Sequence, residues 1–139
     1  MKMKWFTDIY LSVFVLFFRI GQNSWSPMTN TAKAVGGVTW LQFTFLVGLI
    51  AWLYYFTGDR LLLSMSRPTG YILFGIIYLL NYYLLVTRHA GTRFELDFRV
   101  FAYRRRFTLL TASIALVIIC FGFALFSAYY VHAYGPARP

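Results

Sequence analysis

"FTLLTASIALVIICFGFALFSAYYV", residues 107–131, holds no charged side chain in 25 positions. As a helix rising about 1.5 Å per residue it outreaches the hydrocarbon core of a bilayer, about 30 Å thick. In lipid, a lone run of this kind satisfies its backbone N–H and C=O groups only by bonding them within a helix. Residues 39–57 ("TWLQFTFLVGLIAWLYYFT") and 69–87 ("TGYILFGIIYLLNYYLLVT") repeat the pattern over 19 positions each. As helices these two are about 28 Å long, still enough to cross. The three runs predict an all-α integral membrane protein with three transmembrane helices.

Composition leads to the same class. Of 139 residues, 60% are hydrophobic and 12% charged, whereas soluble domains are about 45–50% apolar and about 25% charged. The chain has too little polar surface to cover a soluble domain. Its formal charge of +9 comes from 13 Lys and Arg against Asp8, Asp59, Glu95 and Asp97. In a soluble protein that balance suggests nucleic acid. Beside membrane spans it is the Lys and Arg excess of cytoplasmic flanks, and no nucleic-acid partner is expected. The single cysteine, Cys120, excludes an internal disulfide.

Residues 4–22 differ from the three spans, because only ten uncharged residues separate Asp8 from Arg19. On a helical wheel Lys4, Asp8, Ser12, Arg19 and Gln22 share one narrow stripe, with Val15 the exception. Phe6, Ile9, Val13, Phe17 and Ile20 lie opposite. This is the pattern of a short amphipathic helix in the membrane interface, although the same stripe could face other helices or belong to a fourth span. Charge counting separates the cases. If the segment crosses, Lys2, Lys4, Arg60, Arg67 and Arg138 oppose Arg19, Lys33 and the six arginines of 88–106, five against eight. If it does not cross, ten basic residues oppose three. The second arrangement follows the positive-inside bias more closely, so the N-terminus and residues 88–106 are expected to be cytoplasmic. Lys2 and Lys4 ahead of an apolar core also suggest a signal peptide, but Arg19 breaks the run and "NSWSP" is a poor substitute for the small residues of a cleavage site.

Within 88–106, "RFELDFRV" (93–100) alternates charged and apolar residues, which by periodicity suggests a strand. A lone strand would have no partner. As a helix the same residues align Phe94, Phe98 and Phe101, and set Arg93 with Asp97 and Glu95 with Arg99 at i,i+4. The expectation is therefore a helix leading into the last span. Its phenylalanines would enter the acyl boundary, while Arg93, Arg99, Arg104, Arg105 and Arg106 contact anionic lipid headgroups or an acidic partner. The connections are expected to be a polar loop at 21–37, punctuated by Pro27, Gly36 and Gly37, and a turn at 58–68. In that turn Asp59 pairs with Arg60, and Leu61, Leu62 and Leu63 dip into the interface. The tail at 133–139 cannot stay helical past Pro136.

Little in the sequence promises chemistry. His89, His132 and Cys120 lie in different regions and form no metal motif. All four acidic residues fall outside the three spans, and Ser113 and Ser127 have no base at their depth. Neither an enzyme nor a cofactor is expected. A transporter would carry an ionisable group or a broken helix within the membrane. The strongest polar groups in the spans are instead Gln42 and Asn81, expected to hydrogen-bond between helices. Ala124 and Ala128, with Gly122 nearby, offer a small face for helix packing or self-association. Trp40, Tyr54, Tyr55, Tyr71, Tyr82, Tyr83, Tyr129 and Tyr130 cluster at span ends as aromatic belts.

An amphipathic start, a "WSP" loop, "WLQFT" opening a span, "NYYLL" closing the next and "RFELDF" before a Ser/Thr-bearing last span follow in order. This order resembles the small uncharacterised multi-pass membrane proteins of bacterial genomes, over most of the chain. The resemblance implies a bacterial inner (plasma) membrane and carries over no activity and no site residue. The expected function is contact with lipid or with another membrane protein, as an accessory subunit, anchor or immunity-type inhibitor. The alternative is a small homo-oligomeric channel or permeability factor lined by Asn81 and Gln42.

Overall fold

The computed structural model describes residues 2–23, 28–57 and 67–134. The expectations for Pro27, for Asp59 with Arg60, for Leu61 to Leu63 and for Pro136 lie outside the described residues. Among those described, the chain forms five α-helices: α1 (Lys2–Gln22), α2 (Asn30–Thr57), α3 (Arg67–Tyr82), α4 (Ala90–Val100) and α5 (Tyr103–Tyr134). The α3 helix runs on into one π-helical turn, Tyr83–Thr87. Three stretches, Asn30–Thr57, Pro68–Thr87 and Tyr103–Tyr134, are long and apolar enough to cross a membrane. The protein is an all-α membrane protein with three such helices and a short N-terminal helix.

The α2 helix starts well before the uncharged run, so much of the polar loop expected at 21–37 is helical. Thr29 begins it: its Oγ1 accepts from the Ala32 N–H at 3.2 Å and its carbonyl from the Lys33 N–H at 3.0 Å. Gly36 and Gly37 read as loop punctuation in the sequence, yet they lie inside this helix. Gly37 has a packing reason, since a Cβ there would sit 2.5 Å from the Phe17 ring of α1. The absent side chain lets α1 and α2 approach closely.

The two longest helices run parallel. Along α2, Phe45 meets Phe123, Gly48 meets Phe123 and Ala124, Trp52 meets Phe126 and Tyr130, and Tyr55 meets Tyr130. Parallel neighbours need one return crossing between them. The α3 stretch supplies it, because α4 has 11 residues and a polar composition, a length of only about 16 Å. At the C-terminal ends, Trp52 stacks with Phe56, Phe126 and Tyr130 at 5.4–6.2 Å between ring centroids. Large apolar side chains such as Ile72, Leu79, Ile118 and Leu125 stand exposed around the bundle, as a lipid-facing surface requires.

The N-terminal halves of α2 and α5 enclose the core, with α1 as its lid. Val13, Phe14 and Val15 of α1 are at most 2% exposed. The middle of the polar stripe of α1 is turned inward. Ser12 and Val15 are fully buried, and the Asp8 side chain is 16% exposed. Of the apolar line opposite, Phe6 and Ile20 are exposed while Val13 and Phe17 pack on α2. An amphipathic wheel reports only that two faces differ, and here neighbouring helices carry the partners that water would otherwise supply. The middle of the stripe, at Asp8, Ser12 and Val15, faces other helices, while Arg19 and Gln22 stay exposed.

The 93–100 segment is helical, within α4. His89 turns the chain into it with φ 56°, the left-handed region, and its carbonyl accepts from the Arg93 N–H at 2.9 Å. Phe94 and Phe98 are buried against the protein, and Phe98 meets Phe101 at 6.0 Å. The sequence expectation sent these rings into lipid. The exposed apolar residues of α4 are instead Leu96 and Val100, because α1 offers the phenylalanines a protein surface.

Candidate functional site

Polar side chains gather at two places, a junction inside the bundle and a charged platform at one end. Asn81, in the last turn of α3, forms the junction and is 3% exposed. Its amide N–H groups donate to Thr39 Oγ1 at 3.0 Å and to Gln42 Oε1 at 2.8 Å. Its Oδ1 accepts from the Tyr10 hydroxyl at 2.6 Å. Thr39 and Gln42 are three apart on α2 and so share a face. One amide thereby joins α1, α2 and α3. Burial raises the Tyr10 hydroxyl above its ordinary pKa, with the Gln42 side chain pulling the other way, so it stays a neutral donor.

A second contact joins α1 to α5. The hydroxyls of Ser12 and Ser113 lie 2.5 Å apart. One donates to the other, and the remaining hydrogen goes to a main-chain oxygen, Ile9 O or Leu109 O, each 2.8 Å away. Ser113, Cys120 and Ser127 are the small residues that α5 buries, seven apart along one face. Ser113 of that face meets α1, and Ala124 lies against α2 at Gly48. A Cβ on Gly48 would come within 2.7 Å of the Phe123 ring and 3.4 Å of the Ala124 backbone. Ala128 and Gly122 are exposed.

The platform is built from α4, the start of α5 and the stripe of α1. Arg105 Nη2 donates to Asp8 Oδ2 at 3.1 Å, and its guanidinium sits 4.0 Å from the Phe101 ring centroid. Arg19 lies over Phe98 at 5.2 Å. Arg99 pairs with Glu95 at 2.8 Å, and Arg106 donates to the Arg99 carbonyl at 3.2 Å. Arg93 and Asp97 do not pair, although their spacing allows it. Arg93 and Arg104 are exposed, and among the described residues their guanidinium groups have no acidic partner. Beside Arg104 a cleft of about 420 Å³ opens between α1 and α5, lined by Trp5, Asp8, Arg104, Arg105 and Leu109.

The structure thus brings Gln42 and Asn81 together and collects Arg99, Arg104, Arg105 and Arg106 near one end. Sequence reasoning missed Tyr10, Thr39, Ser12, Ser113 and Gly48. The stripe holding Asp8, Ser12 and Arg19 was the available signal. Among the described residues no three His, Cys, Asp or Glu side chains gather where a metal ion could be held. Compared with family models, curated proteins and solved structures, the chain matches none of them.

Proposed function

We propose that this chain is a multi-pass protein of a bacterial inner membrane that acts by contact rather than by catalysis, as an accessory subunit, anchor or immunity-type inhibitor. The observation that carries the reading is a division of labour. The polar groups inside the bundle, Tyr10, Ser12, Thr39, Gln42, Asn81 and Ser113, bond one another within the protomer, while unpartnered positive charge stands outward at the platform. Such a surface attracts anionic lipid or an acidic face of another membrane protein. Because Gln42 and Asn81 are held inside one protomer, they are not left to line a pore between protomers.

On this reading the platform is cytoplasmic and α1 does not cross. Asp8 and Arg19 bracket the uncharged core of α1, and both contact the 88–106 segment, at Arg105 and Phe98. A crossing helix would carry its two flanking charges toward opposite sides. A single cysteine introduced as Met3→Cys in a Cys120→Ser background should stay unlabelled by an impermeant maleimide on intact cells and react after permeabilisation. Strong labelling from outside would contradict this topology.

The functional test is the mass of the complex purified in mild detergent from its own host. A stoichiometric second chain that is lost from the Arg93→Glu/Arg104→Glu variant supports the subunit or inhibitor reading. A monomer retaining anionic lipid supports the anchor. A homo-oligomer that conducts in planar bilayers overturns the proposal.

A further inference from the structure

We infer that the cleft between the start of α1 and the start of α5 is a discrete site for the phosphate of an anionic lipid. The inference rests on the lipid-contact reading above and deepens it, from a diffuse basic surface to a particular pocket.

Two arginines with different constraints border the cleft. Arg105 is fixed on one side by the Asp8 carboxylate at 3.1 Å and on the other by the Phe101 ring at 4.0 Å. A guanidinium has five N–H donors, and the described contact to Asp8 uses Nη2 alone, so several remain for a second anion. Because the side chain is already held, little rotamer freedom is lost when a phosphate binds. Arg104 has no acidic partner among the described residues and contributes a full positive charge to the same cleft. With Asp8 cancelling one of the two, the cleft keeps a net positive charge and suits a singly charged phosphodiester.

The surroundings favour a lipid over a soluble phosphate. Trp5, 55% exposed, stands at the rim. An indole suits the boundary between headgroups and acyl chains, with its N–H facing the polar side. Leu109 completes the apolar part of the lining beside Trp5. The cleft opens where the long uncharged run of α5 begins, the level at which phosphates lie when that run is in the hydrocarbon. A free phosphate would use only the arginines, whereas a lipid also covers Trp5 and Leu109.

Native mass spectrometry of the full chain, released from nanodiscs of phosphatidylglycerol and phosphatidylcholine, tests the site. One phosphatidylglycerol is expected to remain bound. Arg104→Ala should weaken it about tenfold, which corresponds to about 1.4 kcal/mol, and Trp5→Ala by less. Arg88→Ala removes an exposed arginine that does not line the cleft and should leave retention near the wild-type level. Equal losses for Arg104→Ala and Arg88→Ala would overturn the discrete site while leaving a generally basic lipid-binding surface. No preference for phosphatidylglycerol over phosphatidylcholine in any of these proteins would overturn both. In detergent, displacement of the lipid by millimolar glycerol phosphate would reassign the cleft to a soluble phosphate. A melting temperature of Arg104→Ala within a degree of wild type, measured alongside, shows that a lost adduct reflects the site and not the fold.

Discussion

Replacing Asn81 by leucine is expected to destabilise the bundle by about 2–3 kcal/mol, well above the average of about 0.6 kcal/mol for one hydrogen bond between membrane helices. The excess comes from what the substitution leaves behind. Leucine fills nearly the same space, so packing changes little and the loss is polar. Thr39 can turn its hydroxyl to a carbonyl of its own helix, as Thr44 does toward Trp40 at 2.7 Å. Gln42 Oε1 and the Tyr10 hydroxyl lose their Asn81 partner together. A buried polar group without a partner costs about 1–3 kcal/mol. Reversible unfolding in mixed micelles, with the fraction of denaturing detergent as the variable, measures the effect. Tyr10→Phe alone should cost under about 1 kcal/mol. In the Asn81→Leu background it should cost nothing further, since the bond it removes is already gone. Additive losses would show that Tyr10 and Asn81 do not act through each other.

The three spans were legible because length and the absence of charge are one-dimensional properties. Residues 39–57, 69–87 and 107–131 fall inside the long helical stretches of the structure. The ends were less legible. The first two turns of α2 contain Lys33, Gly36 and Gly37, which score as loop until α1 is seen lying against them. The π turn at Tyr83–Thr87 has no mark in the sequence: Arg88 donates to Tyr83 O at 3.0 Å only because the chain must turn at His89.

The candidate site was legible in its parts and not in its pairings. Gln42 and Asn81 stood out because amides are costly in lipid. That they meet each other, and that Tyr10 completes the junction, depends on how α1 and α3 approach α2. The arginines stood out by number. Which of them are engaged was hidden, since Asp8 reaches Arg105 across 97 positions of sequence while Arg93 and Asp97, one turn apart, do not pair. The stripe on α1 could be satisfied by water or by protein, and the sequence holds no information that separates the two.

The second large effect is expected at Gly91, where α4 leans on α1. A Cβ there would lie 2.8 Å from the Phe14 ring and 3.1 Å from the Leu85 carbonyl oxygen. Phe14 and Leu85 are both fully buried, so neither has open space to move into. Gly91→Val therefore forces α4 away from α1, and overpacking of this kind costs about 1–3 kcal/mol, with the upper end expected where the neighbour is backbone. The better helix propensity of valine returns at most about 0.5 kcal/mol and does not offset it. Gly75→Val is the matched control, because Gly75 lies in α3 with nothing within 4 Å of its Cβ position; it should be neutral or slightly stabilising. Hydrogen exchange in detergent separates a local from a global effect. In Gly91→Val the amides of α4 and of α1 from Val13 to Arg19 should lose protection. Those around Gly48 and Cys120 should keep theirs, since the parallel packing of α2 on α5 does not pass through Gly91. Unchanged protection in α4 would mean that Phe14 yields where the structure leaves it no room, and the platform would then be softer than its packing implies.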